Sequence, residues 1–143
     1  MEARGVLYAV DPYPAGRLGF SMQRVIAMRE VGGVTGGRVV WVRASGKEAA
    51  GKVLQSGPVD FVFIDGDHSW EGISSDWSSW SGGLAIGGLV ALHDSVSTDQ
   101  RDIETAGSVR FTREVVACDP RYELVETIDS LTVWHRRAFD GAG

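Results

Sequence analysis

The sequence predicts an α/β fold: a doubly wound, mainly parallel sheet with an antiparallel hairpin at the C-terminal end. Three observations carry that prediction. Two apolar runs, Val59 to Ile64 and Gly88 to Leu92, both end in polar residues and are spaced for one crossover helix, as neighbouring parallel strands require. Apolar runs alternate with helix-patterned segments as far as Asp119-Pro120. Beyond that point the pattern changes to strict apolar-polar alternation, which suits a half-exposed antiparallel pair.

Gly5 to Val10 is a continuous apolar run ended by Asp11-Pro12-Tyr13-Pro14, and it reads as a strand buried on both faces. Pro12 to Gly19 reads as a loop. Met22, Val25, Ile26 and Met28 or Arg29 then recur at helical spacing up to Val31, and Gly32-Gly33 stops the helix. A second strand is predicted at Arg38 to Arg43, followed by a helix from about Lys47 to Gln55 carrying Ala49, Ala50 and Leu54. The buried third strand is Val59 to Ile64. Ser69 is placed to cap a helix in which Trp70, Ile73, Trp77 and Trp80 repeat at three and four, and Gly82-Gly83 ends it. Gly88 to Leu92 is the fourth strand. A polar loop through Asp99, Gln100 and Asp102 leads to a helix at about Val109 to Ala117, closed by Asp119-Pro120. Tyr122 to Ile128 and Leu131 to Arg137, joined by Asp129-Ser130, form the predicted hairpin at a sheet edge. The dense glycine pairs Gly32-Gly33, Gly36-Gly37 and Gly87-Gly88 read as caps and turns.

With 143 residues, 43% hydrophobic and 23% charged, the chain suits one ordinary domain over residues 1–143. A net charge of -5 disfavours nucleic acid or an anionic membrane as partner and points to a small molecule. The single cysteine, Cys118, rules out an internal disulfide framework. Met1-Glu2-Ala3-Arg4 has no secretory character, and no apolar run nears the roughly 20 residues needed to span a bilayer, so a cytoplasmic location is expected.

Ligands of open parallel sheets bind beyond the carboxyl ends of the strands. Asp65, Asp67 and His68 follow one such end, and His93 and Asp94 follow the next, so these two ends make the candidate site. The same residue types serve as ligands in two-metal phosphoesterases, which keeps a metal-dependent hydrolase open.

From Tyr8 to Arg137 the chain resembles the later part of a class I S-adenosylmethionine-dependent methyltransferase. The branch with macrolide-sugar and rhamnosyl O-methyltransferases and cephalosporin hydroxylase-like proteins is the nearest, and catechol O-methyltransferases are more distant. The carrying motifs are Ala9-Val10-Asp11, the run from Phe61 through Ile64-Asp65-Gly66-Asp67-His68-Ser69-Trp70-Glu71-Gly72, Gly87 through His93-Asp94, and Asp119 through Thr127. The resemblance implies a Rossmann-like fold and methyl transfer from S-adenosylmethionine to a small-molecule or sugar hydroxyl. It places Asp11 at the cofactor ribose, Ser45 near the adenine, and Asp65 in the cofactor and metal neighbourhood. Asp65, Asp94 and His93 match the positions that hold Mg2+ or another divalent metal, with Ser95 as an alternative third ligand. His93 stands where relatives often carry a carboxylate, and an imidazole there shifts preference toward a transition metal. His68, three residues after Asp65, matches the general base, and an imidazole titrates close to working pH.

The first family strand and its Glu-x-Gly-x-x-x-Gly-like turn belong before Gly5, so the resemblance implies a truncated domain without that strand. Without it, the strands at Gly5 and Val59 either pair directly, in a 2-1-3-4 order, or leave backbone and apolar surface unpaired. A non-catalytic half-domain that associates through an exposed sheet edge or its tryptophan-bearing helix, as in a homodimer, is the remaining alternative. The loop from Ser95 to Gly107 is the expected place for acceptor contact.

Overall fold

The computed structural model describes residues 5–12, 14, 21–32 and 36–138. Most of the Pro12 to Gly19 loop and part of the Gly32-Gly33 stop lie outside the described residues. The chain divides into two compact units, Met1–Val53 and Leu54–Gly143.

In the first unit β1 (Gly5–Val10) pairs in parallel with β2 (Gly37–Val42), in register from Gly5 opposite Gly37 to Val10 opposite Val42. The ladder runs one residue further, the Asp11 N–H donating to the Val42 carbonyl at 3.2 Å. Between the strands lies α1 (Met22–Val31). The Ser21 side chain accepts from the Arg24 N–H at its start, and the Gly32 N–H donates to the Arg29 carbonyl at its end. After β2 comes α2 (Gly46–Val53), whose alanine pair Ala49 and Ala50 is buried together with Val53. It is shorter than predicted, because Leu54–Ser56 tighten into a 3-10 turn before Gly57, which sits at φ 121°, a conformation open chiefly to glycine.

β1 corrects one expectation. Val6 and Leu7 are exposed, so this strand is not buried on both faces. Among the described residues β1 bonds to β2 alone, in a two-stranded sheet whose faces leave its first apolar side chains uncovered.

The second unit holds a four-stranded sheet ordered β3-β4-β6-β5. β3 (Val59–Ile64) and β4 (Leu84–Leu92) are parallel neighbours, as their spacing demands, and α3 (Trp70–Trp80) is the crossover between them. β4 starts earlier than predicted. Two steps along β3 face five along β4 between the pairs Val59–Leu84 and Phe61–Leu89. That irregularity needs Gly87 at φ 87°, and Gly88, where a Cβ would stand 2.9 Å from the Asp60 carbonyl oxygen. The sequence presents this glycine pair as a turn, and the strand runs through it.

α4 (Gly107–Phe111) continues into a π-turn, Thr112–Val116, before the hairpin β5 (Tyr122–Ile128) and β6 (Leu131–Arg136). β6 lies antiparallel on β4, and β5 forms the outer edge. The Asp129-Ser130 turn places Asp129 at φ 51°, a conformation Asp tolerates better than most residues. One core serves this unit: Ile64, Val90, Leu92, Tyr122 and Trp134 from the sheet, Ile73 and Trp77 from α3, and Phe111 and Val116 from α4 and the π-turn. The Trp77 and Tyr122 rings lie 4.7 Å apart, and the Tyr122 hydroxyl donates to the Ser81 carbonyl at 2.7 Å, so its buried polar end is satisfied.

β3 was also expected to be fully buried, and only half of it is. Val62 and Ile64 turn toward the core, whereas Phe61 and Phe63 are 56% and 53% exposed. The described strands make two sheets, β1-β2 in the first unit and β3-β4-β6-β5 in the second.

Candidate active site

The site is assembled by the parallel register of β3 and β4. Ile64 pairs with Leu92, and the His93 N–H continues the ladder by donating to the Ile64 carbonyl at 3.0 Å. The next residues, Asp65 and His93, are thereby brought side by side, with Oδ1 and Nδ1 3.0 Å apart. The expectation of two neighbouring polar strand ends is met.

Asp94 turns the chain inward. It sits at φ 48° and is 2% exposed. Its carbonyl accepts from the Ser108 hydroxyl at 2.6 Å. Its carboxylate accepts three hydrogen bonds: Arg101 Nε and the Ser130 hydroxyl donate to Oδ1 at 2.7 and 2.8 Å, and the Arg101 terminal nitrogen Nη2 donates to Oδ2. This fork of donors outweighs burial and holds the Asp94 carboxyl well below the usual range, at about 2. In return, the hydrogen bonds and charge of Asp94 push the Arg101 guanidinium further up.

Arg101 is held by a tight turn in the loop expected to contact an acceptor. Thr98 and Arg101 exchange backbone hydrogen bonds at 3.1 Å, and the Thr98 hydroxyl also accepts from the Arg101 N–H. Neither Arg101 nor Ser130 was singled out from the sequence as a site residue. Their pairing with Asp94 spans 7 and 36 residues, which leaves no periodic signal.

His68 follows β3 just before α3. Ser69 caps that helix, its hydroxyl accepting from the Gly72 N–H at 3.0 Å, and Asp67 accepts from both the backbone N–H and the hydroxyl of Ser69 at 2.9 Å. Those two bonds lower the Asp67 carboxyl, and they commit Asp67 to the cap rather than to a ligand. The His68 carbonyl accepts from the Ser108 N–H at 2.9 Å, which ties its backbone to the start of α4. Its ring is 6.0 Å from that of His93, and Nε2 stands 3.6 Å from Asp94 Oδ2, beyond direct hydrogen-bond distance.

Asp65, His68 and His93 can each offer a donor atom within 4.8 Å of the others. His93 Nδ1 is buried and, despite its 3.0 Å approach to Asp65, has no partner in hydrogen-bond geometry among the described residues. An orphaned imidazole nitrogen facing a carboxylate and a second imidazole fits a divalent metal. Asp94 is close by but already occupied. Ser95, the alternative ligand, is 3% exposed and bonded to the Leu92 carbonyl and the Thr132 hydroxyl.

Two candidate cofactor residues lie in the first unit. Asp11 directly follows β1 at its carboxyl end. Ser45 forms a capping box for α2: its hydroxyl accepts from the Glu48 N–H at 3.3 Å and donates to Glu48 Oε2 at 2.9 Å, while Oε2 accepts from the Ser45 N–H at 3.0 Å. The backbone and hydroxyl of Ser45 lower the Glu48 carboxyl. The Ser-x-x-Glu spacing is the signal of this cap, and the sequence analysis did not use it.

A family model described as a methyltransferase domain matches residues 1–95. No curated protein matches the chain. Among solved structures, a Corynebacterium glutamicum protein is similar at TM-score 0.60 and 18% identity over 96% of this chain and 63% of that one. The MycE methyltransferase of mycinamycin biosynthesis, solved with Mg, SAH and mycinamycin VI, is similar at TM-score 0.60 and 13% identity, over 100% of this chain and 46% of that one. A TDP-rhamnose 3'-O-methyltransferase of calicheamicin biosynthesis gives TM-score 0.56 and 15% identity, covering 90% of this chain and 56% of that one. The chain thus spans between about half and two thirds of the length of these structures, and it shares their Rossmann-like α/β fold. With its family model matched over residues 1–95, this chain belongs to the methyltransferase-domain family.

Proposed function

We propose that this chain serves S-adenosylmethionine-dependent methylation of a hydroxyl on a small molecule or sugar. The observation that carries the reading is the meeting of Asp65, His68 and His93 at the carboxyl ends of two parallel strands, in a chain of the methyltransferase-domain family. S-adenosylmethionine, when bound, supplies an electrophilic methyl group on a sulfonium. Asp11 is the residue for its ribose hydroxyls, since a carboxylate accepts from two neighbouring O–H groups. Ser45 fits the adenine side less well, because its hydroxyl already donates to Glu48.

His68 takes the proton of the acceptor hydroxyl at an imidazole nitrogen as the new C–O bond forms. The Asp94 carboxylate stands 3.6 Å from Nε2. A divalent cation would orient the acceptor oxygen and make its hydroxyl more acidic, and Asp65 and His93 are the residues to hold it.

The test is transfer of a labelled methyl group from S-adenosylmethionine to sugar and phenol hydroxyls by the full-length protein. His68→Ala should lower kcat about 10²–10⁴-fold. An unchanged kcat in that variant would end the role of His68 as base.

A second reading has its own observation, the exposure of Phe61 and Phe63 on β3. On this reading the chain acts by self-association as a homodimer. Sedimentation as a monomer at all concentrations would remove it.

A further inference from the structure

His68 and Asp94 reach the site from different strands, and one residue ties them together. Ser108, buried near the start of α4, bonds both backbones: its N–H donates to the His68 carbonyl at 2.9 Å and its hydroxyl to the Asp94 carbonyl at 2.6 Å. The Asp94 carboxylate is fixed in turn, because Arg101 Nε and the Ser130 hydroxyl donate to Oδ1 and Arg101 Nη2 donates to Oδ2. Oδ2 accepts that one hydrogen bond, and it faces both imidazoles, with His68 Nε2 at 3.6 Å and His93 Nδ1 at 3.7 Å. His93 has a nearer carboxylate in Asp65, at 3.0 Å, whereas among the described residues Asp94 is the one carboxylate paired with His68.

A neutral imidazole carries one proton, on either nitrogen, and what faces each nitrogen decides which. A carboxylate oxygen attracts an N–H and repels a nitrogen lone pair, and Asp94, with its carboxyl held at about 2, is ionised whenever the ring is neutral. The His68 side chain is 44% exposed, which leaves the ring room to turn and shorten 3.6 Å to a hydrogen bond, as such contacts do when a site fills. We propose that Asp94 is a positioning residue that holds His68 in its Nε2–H form, leaving Nδ1 as the atom that takes the acceptor proton. As the hydroxyl oxygen bonds to the methyl carbon, the carbon–sulfur bond breaks with its electron pair going to sulfur, and the hydroxyl proton passes to Nδ1. The ring then carries a proton on each nitrogen and keeps Nε2–H toward Asp94, which itself gains no proton. The role of Nδ1 rests on the proposed methyl transfer, and the tautomer does not.

The tautomer is read by nitrogen-15 NMR of the chelator-treated chain at about pH 8.5, well above the ordinary imidazole value. In a single tautomer the two ring nitrogens resonate far apart, and in a mixture they draw together. Expected for His68 is the pattern of the Nε2–H form alone, against the mixture that the same ring shows in the chain unfolded by urea. Asp94→Asn removes the charge and Ser130→Ala removes one of the bonds that fix the carboxylate. Both should move the His68 pair toward the unfolded mixture, the first further than the second, while His135, on β6, serves as the internal reference and stays unchanged. Circular dichroism confirms that the variants fold, and Ser130→Ala decides if Asp94→Asn does not. An Nδ1–H form of His68, or the unfolded mixture in the folded unmodified chain, would overturn the inference, as would an unchanged His68 signal in every variant that folds. A chain with the expected tautomer that transfers no methyl group keeps the hold of Asp94 on His68 and loses the proposed function. One that transfers through His68 in its Nδ1–H form does the reverse.

Discussion

Asp94 is the residue on which the local geometry converges. Its backbone stands at φ 48°, its carbonyl is held by Ser108, and its carboxylate by Arg101 and Ser130. A buried carboxylate that loses its cation partner keeps the cost of desolvation without the attraction, so Arg101→Met should destabilise the fold, read as a lower urea midpoint at unchanged m. Acid should act on the same pair. Because the folded carboxyl titrates at about 2 against an unfolded value near 3.9, its stabilisation is complete above about pH 4 and is lost as pH falls toward 2. In Arg101→Met the drop in stability between pH 5 and pH 2.5 should therefore be smaller than in the unmodified chain, measured by urea melts at both values. Ser45 is a milder case. Ser45→Ala removes the hydroxyl of an exposed capping box and should cost about 1 kcal/mol, checked by the same melts.

Element boundaries were legible wherever one physical signal dominated. The helix at Trp70–Trp80 was readable because a capping serine precedes apolar residues at three-and-four spacing, and the C-terminal hairpin because its alternation and Asp129-Ser130 turn agree. The start of β4 was not, since Gly87-Gly88 carries the chemistry of a turn while the fold uses it inside a strand. Of the candidate site, the two strand ends could be read, but the Arg101 fork could not, because it depends on a loop whose shape is set by non-periodic hydrogen bonds. The junction of α3 and α4 offers a test at this scale. A Cβ on Gly107 would stand 2.1 Å from the Trp70 nitrogen, and backbone cannot rotate aside as a flexible side chain can. Gly107→Ala should therefore cost about 1–3 kcal/mol or more and loosen the turn that ties His68 to Ser108, seen as faster amide exchange at Ser108.

At the scale of the whole molecule, each unit keeps apolar residues in the open: Val6 and Leu7 on β1, Phe61 and Phe63 on β3, and Ile86 on β4. Exposed apolar side chains, where they gather into a patch, bind hydrophobic dyes and favour association. The isolated chain should bind such a dye while showing native circular dichroism, and Phe61→Ser with Phe63→Ser should lower that signal with little loss of stability, since both rings are already exposed. The division into two units also sets how the protein can be watched by light. Of its five tryptophans, Trp41 alone belongs to Met1–Val53, and Trp70, Trp77, Trp80 and Trp134 belong to Leu54–Gly143. Emission from the unmodified chain is thus weighted four to one toward the second unit. A Trp41→Phe variant would report that unit alone, and a variant keeping only Trp41 would follow the unit that carries Asp11 and Ser45.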